Sequence, residues 1–301
     1  MRRSTRPASK LILALVLGFG LPAAVVAQPA TPLAPAVQEI RNLLRDKRID
    51  AAIEQAEKVV KERPDDGKAW LWLGNAYGQQ ALAAGMLSKP KWAGKCRDAY
   101  EKAVAVAPGD PDARLSLMQY YLQAPGFLGG GVDKAQAQVD AMATISPAWG
   151  HIGRAAVLLV DDRDDEALDA YAAAVAADPA NHRALLGLIS LHIGAKRIEP
   201  ARQVVDAAIA RDPRDPVGLY MLGRLAIEDG LRIDEGIDGL ATYITLENPP
   251  EELGLGAAWW RKGLLYEKAG RKDDAVKALQ QAVSLDPRLE QAKKDLARME
   301  S

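Results

Sequence analysis

The sequence has one cysteine, two phenylalanines and three histidines in 301 residues. A single thiol, Cys96, excludes an internal disulfide framework, so burial alone must hold the fold. His151, His182 and His192 share no metal-ligand spacing. An excess of one charge is also missing, because 39 basic residues stand against 40 acidic ones. Such a chain has no basic surplus for nucleic acid or for an anionic membrane surface. There is no Gly-x-Ser-x-Gly and no His-Glu-x-x-His. These absences point away from an enzyme and imply no cofactor and no metal. The one long apolar run, Leu11 to Leu21, is short for a membrane span and is broken by Gly18 and Gly20.

What surrounds that run explains it. Arg2, Arg3, Arg6 and Lys10 precede it with no acid, and Val25-Val26-Ala27 places small residues before Gln28. Residues 1–27 therefore read as a secretory signal peptide cleaved after Ala27, and the mature chain is expected to be exported to the periplasm. No cysteine follows the run, which argues against a lipid anchor. Removing these residues leaves 35 basic against 40 acidic side chains. Residues 28–35 read as a Pro/Ala-rich linker.

The remainder is periodic. Pro64, Pro108, Pro147, Pro179, Pro213, Pro249 and Pro287 recur every 32 to 44 residues, which marks an array of supersecondary units. Aligned on these prolines, Trp70-x-x-Leu73-Gly74-x-x-Tyr77 matches Trp259-x-x-Lys262-Gly263-x-x-Tyr266, and Ala275, Leu279 and Ala282 follow the latter. Each unit holds two apolar stretches of helical period around a short polar turn. Small residues fall where helices must approach: Gly74, Gly223 and Gly263 on the first helix, Ala52, Ala135, Ala167, Ala201 and Ala275 on the second.

Over residues 36–287 this pattern closely resembles the tetratricopeptide repeat (TPR). The resemblance implies an all-α, TPR-type solenoid, a right-handed superhelix of antiparallel helix pairs with the first helices lining its concave side. The pairs fall at 36–64, 65–108, 109–147, 148–179, 180–213, 214–249 and 250–287, and residues 288–301 read as a capping helix. Leu289, Ala292 and Leu296 are expected to face inward, with Glu290, Lys293, Lys294 and Arg298 outward.

Two turns depart from the repeat. The stretch 78–95 carries about ten extra residues, including Trp92, and 124–133 adds about five, including Phe127 and Leu128. Insertions at equivalent turns of a solenoid emerge on one edge, so these are expected to be neighbouring loops. Trp92, Phe127 and Leu128 either plug each other against that edge or form a binding surface. Gly129-Gly130-Gly131 beside a helix start invites an anion-cradle reading, but Val132-Asp133 stands where a phosphate loop needs Lys and Ser/Thr. The acidic stretch Asp161 to Glu166 lacks the central glycine of a calcium loop and reads as a solvated turn. His151 and His192 occupy the repeat's Trp and Tyr positions as packing residues, and Cys96 takes an alanine position.

These repeats generally mediate protein contacts, so the resemblance implies an extracytoplasmic scaffold that holds a peptide or partner helix from the cell envelope. The Lys/Asn/Arg carboxylate clamp of some relatives is not found at the groove positions, which begin with Lys68, Leu71 and Asn75. The C-terminal half instead offers Tyr220, Arg224, Trp260 and Leu264 as contacts. The alternative is an enzyme or small-ligand binder using the Trp92/Phe127 edge. Neither nucleic acid nor peripheral membrane association is indicated.

Overall fold

The computed structural model describes residues 34–247, 249–250 and 253–301. The signal peptide expected over 1–27, and all of the linker before Ala34, lie outside the described residues. Among the described residues the chain is helical with no strand. The first compact unit, which ends at Asn181, contains α1 (Pro35–Arg45), α2 (Ile49–Glu62), α3 (Gly67–Ala83), α4 (Lys89–Val106), α5 (Pro111–Gln123), a 3₁₀ turn (Gly126–Leu128), α6 (Val132–Ile145), α7 (Pro147–Val160) and α8 (Asp164–Ala177). The second, His182–Ser301, contains α9 (His182–Gly194), α10 (Ile198–Arg211), α11 (Pro216–Asp229), α12 (Ile233–Ile244), α13 (Leu255–Lys268), α14 (Lys272–Leu285) and α15 (Glu290–Glu300). Within each unit a helix packs on the next in sequence, and first helices of successive pairs also touch, as α3 does α5 and α11 does α13. No described helix is long and apolar enough to cross a membrane.

The periodic prolines mark the stops between pairs. Pro64, Pro108, Pro179, Pro213 and Pro287 each directly follow the C-cap residue of a second helix, where a missing N–H and a fixed φ end the helix at little cost. In three of these turns an aspartate two residues later caps the next first helix. Asp66 accepts from Ala69 N at 3.0 Å, Asp110 from Asp112 N at 3.0 Å and Asp215 from Gly218 N at 2.8 Å. Pro147 breaks the expected register: it is the first residue of α7 instead of a stop after α6, so the third pair ends at Ser146.

The repeat's small residues sit where predicted. Ala52, Cys96, Ala135, Ala167, Ala201 and Ala275 are fully buried on second helices. On first helices, a Cβ at Gly223 would lie 2.5 Å from Leu240, and one at Gly263 would lie 2.9 Å from Leu279. The large positions serve as ties. Trp70 Nε1 donates to the Pro64 carbonyl at 2.9 Å, and Arg114, in the same register, donates to the Pro108 carbonyl at 2.8 Å. Tyr77 donates to Glu57 and Tyr121 to Glu101, each linking a first helix back to the preceding second helix. Trp259 and Tyr266 are half-buried, with Lys262 over the former ring at 5.0 Å and Arg271 over the latter at 4.4 Å.

The first inserted segment is not the long loop expected over 78–95. Most of it is helix: α3 has 17 residues and α4 has 18, against 14 in α7, α11 and α13. Cys96 is the eighth residue of α4, whereas its counterparts Ala135, Ala167, Ala201 and Ala275 are each the fourth of their helices. The insertion thus adds about one turn to the start of α4 and lengthens α3 to match. Only Ala84 to Ser88 remains as connection, with Met86 and Leu87 exposed.

The last helix covers the end of the second unit. Ala292, Asp295 and Met299 are its buried residues, while Leu289 and Leu296 are half-buried. Met299 joins Ala275 and Leu279 in a core cluster against which Trp260, Tyr266 and Leu296 pack. Glu290, Lys293, Lys294 and Arg298 face solvent, and Arg298 grips Glu267 with both terminal nitrogens, at 2.5 and 2.9 Å. Asp295 and Met299 escaped the sequence reading because an apolar count ignores a buried carboxylate and ends one turn early.

Candidate functional site

The Trp92/Phe127 edge does not come together as one cluster. Trp92 is half-buried on α4, its ring centroid 5.8 Å from that of Tyr77, with Lys95 Nζ 5.1 Å from the Trp92 centroid and 3.3 Å from Glu57. Phe127 lies in the 3₁₀ turn and is 81% exposed, so it plugs nothing. Leu128 serves through its carbonyl, which accepts from Tyr120 Oη at 2.8 Å and from Arg97 Nη1 at 3.3 Å. Arg97 belongs to α4, so this turn is anchored on α4 while the phenyl ring points away. The triple glycine is not an anion cradle, since its amides are consumed: Gly129 N bonds the Gly126 carbonyl, Gly130 N that of Pro125 and Gly131 N that of Tyr121. Gly129 has φ +87°, and a side chain on Gly130 would collide with the Ala124 carbonyl.

Other sequence candidates resolve into structure. The acidic stretch is the α7–α8 turn, closed by Arg163 and Glu166, with Asp162 at φ +56°. His192 is half-buried, and burial followed by the Arg197 charge lowers its pKa, favouring the neutral ring. In the first unit, Lys68 reaches Asp110 at 2.8 Å and Asp112 at 3.2 Å. Burial opposes its charge, but the two carboxylates outweigh burial and leave its pKa raised. No three of His, Cys, Asp or Glu are grouped to hold a metal among the described residues.

The second unit does gather the expected contacts. Tyr220 and Arg224 lie one turn apart on α11, and Trp260 and Leu264 one turn apart on the neighbouring α13. Arg261, which the sequence reading passed over, joins them. Its Nη1 donates to Tyr220 Oη at 2.8 Å, and its guanidinium carbon lies 5.0 Å from the Tyr220 ring and 5.2 Å from that of Trp260. Tyr220 is itself buried, meeting Tyr243 edge-on at 5.2 Å, and burial raises its hydroxyl pKa against the opposing pull of the two arginines. Trp260 Nε1 donates to Asp295 Oδ2 at 2.8 Å, so the last helix fixes the indole. Leu264 is half-buried beside them on α13. Arg261 could have been found from its place directly after Trp259-Trp260, although it lies one residue off the groove register.

Three segments, residues 37–85, 163–225 and 256–289, match models described as tetratricopeptide repeat. The chain carries tetratricopeptide repeats. Among solved structures its repeats superpose on yeast Tom70 at TM-score 0.54 and 17% identity, over 97% of this chain and 63% of that one. Human IFIT1, solved as a dimer with m7Gppp-AAAA, gives 0.54 at 15% identity over 88% of this chain and 62% of that one. A chain of the APC/C hetero-tetramer Cut9–Hcn1 gives 0.50 at 18% identity over 88% and 48%. The chain therefore spans between about half and two thirds of these relatives, and at such identity the likeness is one of fold. A search of curated protein sequences finds no match.

Proposed function

We propose that the chain is an extracytoplasmic protein-interaction scaffold that holds a peptide or partner helix of the cell envelope on its first-helix face. It acts by binding, not by catalysis, and its partner is a protein and not a nucleic acid. One observation carries the reading: Tyr220, Arg224, Trp260, Arg261 and Leu264 are drawn from two adjacent first helices into one patch. Its aromatic and arginine side chains are the types that dominate protein interfaces. Export is supported by the basic and apolar N-terminus.

The test is affinity capture of the full-length chain from its native envelope, with fractionation and intact-mass analysis of the same cells. A specific envelope protein should co-purify with the parent and be lost with Leu264→Glu. The mature chain should begin at Gln28. Retention of residues 1–27 in the cytoplasm would refute the location, and capture unaffected by Leu264→Glu would refute the face.

A second contact surface is favoured at the edge of the first unit, where Phe127 is 81%, Met86 91% and Leu87 101% exposed. Exposed side chains of this size at turn tips suit protein contact better than a pocket for a small ligand.

A further inference from the structure

Many arginines among the described residues are neutralised by a carboxylate. Arg202 pairs with Asp229, Arg232 with Asp206 and Glu235, Arg271 with Asp274 and Arg298 with Glu267. Even Lys68, on a first helix of the other unit, holds two aspartates. Arg224 and Arg261 are not among them, and they lie on adjacent helices, where the charge of Arg261 acts on Arg224. Among the described residues Arg224 makes no hydrogen bond and no ion pair, although it is half-buried. Arg261 bonds Tyr220 Oη and, at 3.4 Å, the Ala257 carbonyl, and meets no carboxylate among the described residues.

We propose that Arg224 and Arg261 form a receptor for one carboxylate of a partner peptide, an Asp or Glu side chain with apolar neighbours. This rests on the scaffold reading above and says what the groove selects. Arg261 is already oriented by Tyr220 and Trp260, so little of its rotamer freedom remains to be lost on binding. Tyr220 Oη accepts from Arg261 and keeps its own proton to donate. Burial and the nearby Arg261 charge both lower the pKa of Arg224, the signature of like charges brought together partly out of water. A carboxylate between them removes that repulsion and gains charge-assisted, fork-shaped hydrogen bonds. Trp260 and Leu264 supply the apolar flank.

The surroundings select a single negative charge over a polyanion. Glu228, one turn beyond Arg224 on α11, already acts favourably on it without reaching ion-pair distance, and Asp295 lies behind Trp260. A phosphate backbone would meet these carboxylates and a chain of net charge −1, with no basic stripe to follow.

The test uses the full chain, N-acetyl-Leu-Glu-Leu-amide and its Leu-Gln-Leu twin, titrated while the Trp260 indole and the arginine Nε–H resonances are followed by NMR. The glutamate peptide should bind about tenfold more tightly than its twin, the worth of a charge-assisted pair in a half-buried site. Arg224→Gln and Arg261→Gln should each bring that ratio close to one, and Arg224→Gln, which breaks no hydrogen bond, should do so without lowering the melting midpoint. Arg224→Lys, which keeps the charge and loses the fork, should retain part of it. Equal affinity for the two peptides, or discrimination that survives both glutamine variants, overturns the proposal while leaving an apolar groove intact. Binding of neither peptide overturns it too, and the Leu264→Glu capture experiment then judges the scaffold reading by itself. Tighter binding of an octa-adenylate than of the glutamate peptide would assign the arginines to nucleic-acid phosphate and overturn it as well.

Discussion

Gly74→Ala sets two effects of opposite sign against each other. In a helix interior, alanine in place of glycine ordinarily stabilises by about 0.5–1 kcal/mol. At Gly74 the new Cβ would fall closer than 3 Å to the ring of Tyr100. That ring cannot step aside: Tyr100 is fully buried, and its hydroxyl donates to Asn75 Oδ1 at 2.7 Å. Overpacking of this kind costs about 1–3 kcal/mol. Disturbing the buried Tyr100–Asn75 bond costs about 1 kcal/mol more. The steric side wins, and we expect a net loss of about 1–3 kcal/mol once the propensity gain is deducted. Urea denaturation followed by circular dichroism measures it. Gly85→Ala, where nothing lies within 4 Å of the new methyl, is the control and should shift stability by no more than about 0.5 kcal/mol. A Gly74→Ala protein as stable as its parent would refute the claim that small residues here are set by close helix approach.

Three further outcomes follow from the same geometry. The Cys96 thiol, pushed up to about 12 by burial that outweighs the opposing influence of Tyr100, should resist thiol reagents at pH 8 until the chain is unfolded, and Cys96→Ala should be nearly neutral; rapid labelling of the native protein would contradict this. Phe127→Ser should leave the melting midpoint within about 1 °C, because an 81% exposed ring at a turn tip adds little burial; a loss above about 1 kcal/mol would show that the ring is packed after all. The hydrogen bonds from Arg298 hold the Glu267 carboxyl below its ordinary range against the opposing effect of burial. A depressed carboxylate pKa contributes stability that is fully present above the unfolded value of about 4.3 and is lost as pH falls through the folded value. Melting curves between pH 6 and pH 3 should therefore fall less steeply for Arg298→Gln than for the parent; identical slopes would remove the α15–α13 pair from the acid response.

The helix pairs were legible because their determinants are local. The recurring prolines between pairs and the small residues on second helices can each be read at a fixed offset. The swollen segment at 78–95 was misread because length alone cannot tell a loop from an added helical turn; the offset of Cys96 from its helix start was the clue. The glycine run at 129–131 looked like an anion site because sequence does not show that its amides are spent on the turn itself. At the candidate site, Tyr220, Arg224, Trp260 and Leu264 were readable from the repeat register. Arg261 lies one residue off that register, and its place beside Trp259-Trp260 was the signal that pointed to it. Sequence could not show that Arg224 and Arg261 lack acidic partners among the described residues, since ion pairs in this fold join residues as far as 44 positions apart, as Lys68 and Asp112 do.

The central claim is that the first-helix face of the second unit is where a partner sits. Photo-crosslinking in living cells tests it directly, with a benzoylphenylalanine placed in turn at Leu264, at Phe127 and at the exposed control Lys268. The account predicts one strong adduct of defined mass from Leu264, reduced by Arg261→Gln in the same chain, and none from Lys268. Adducts from Phe127 alone, or a Leu264 adduct indifferent to Arg261, would contradict it.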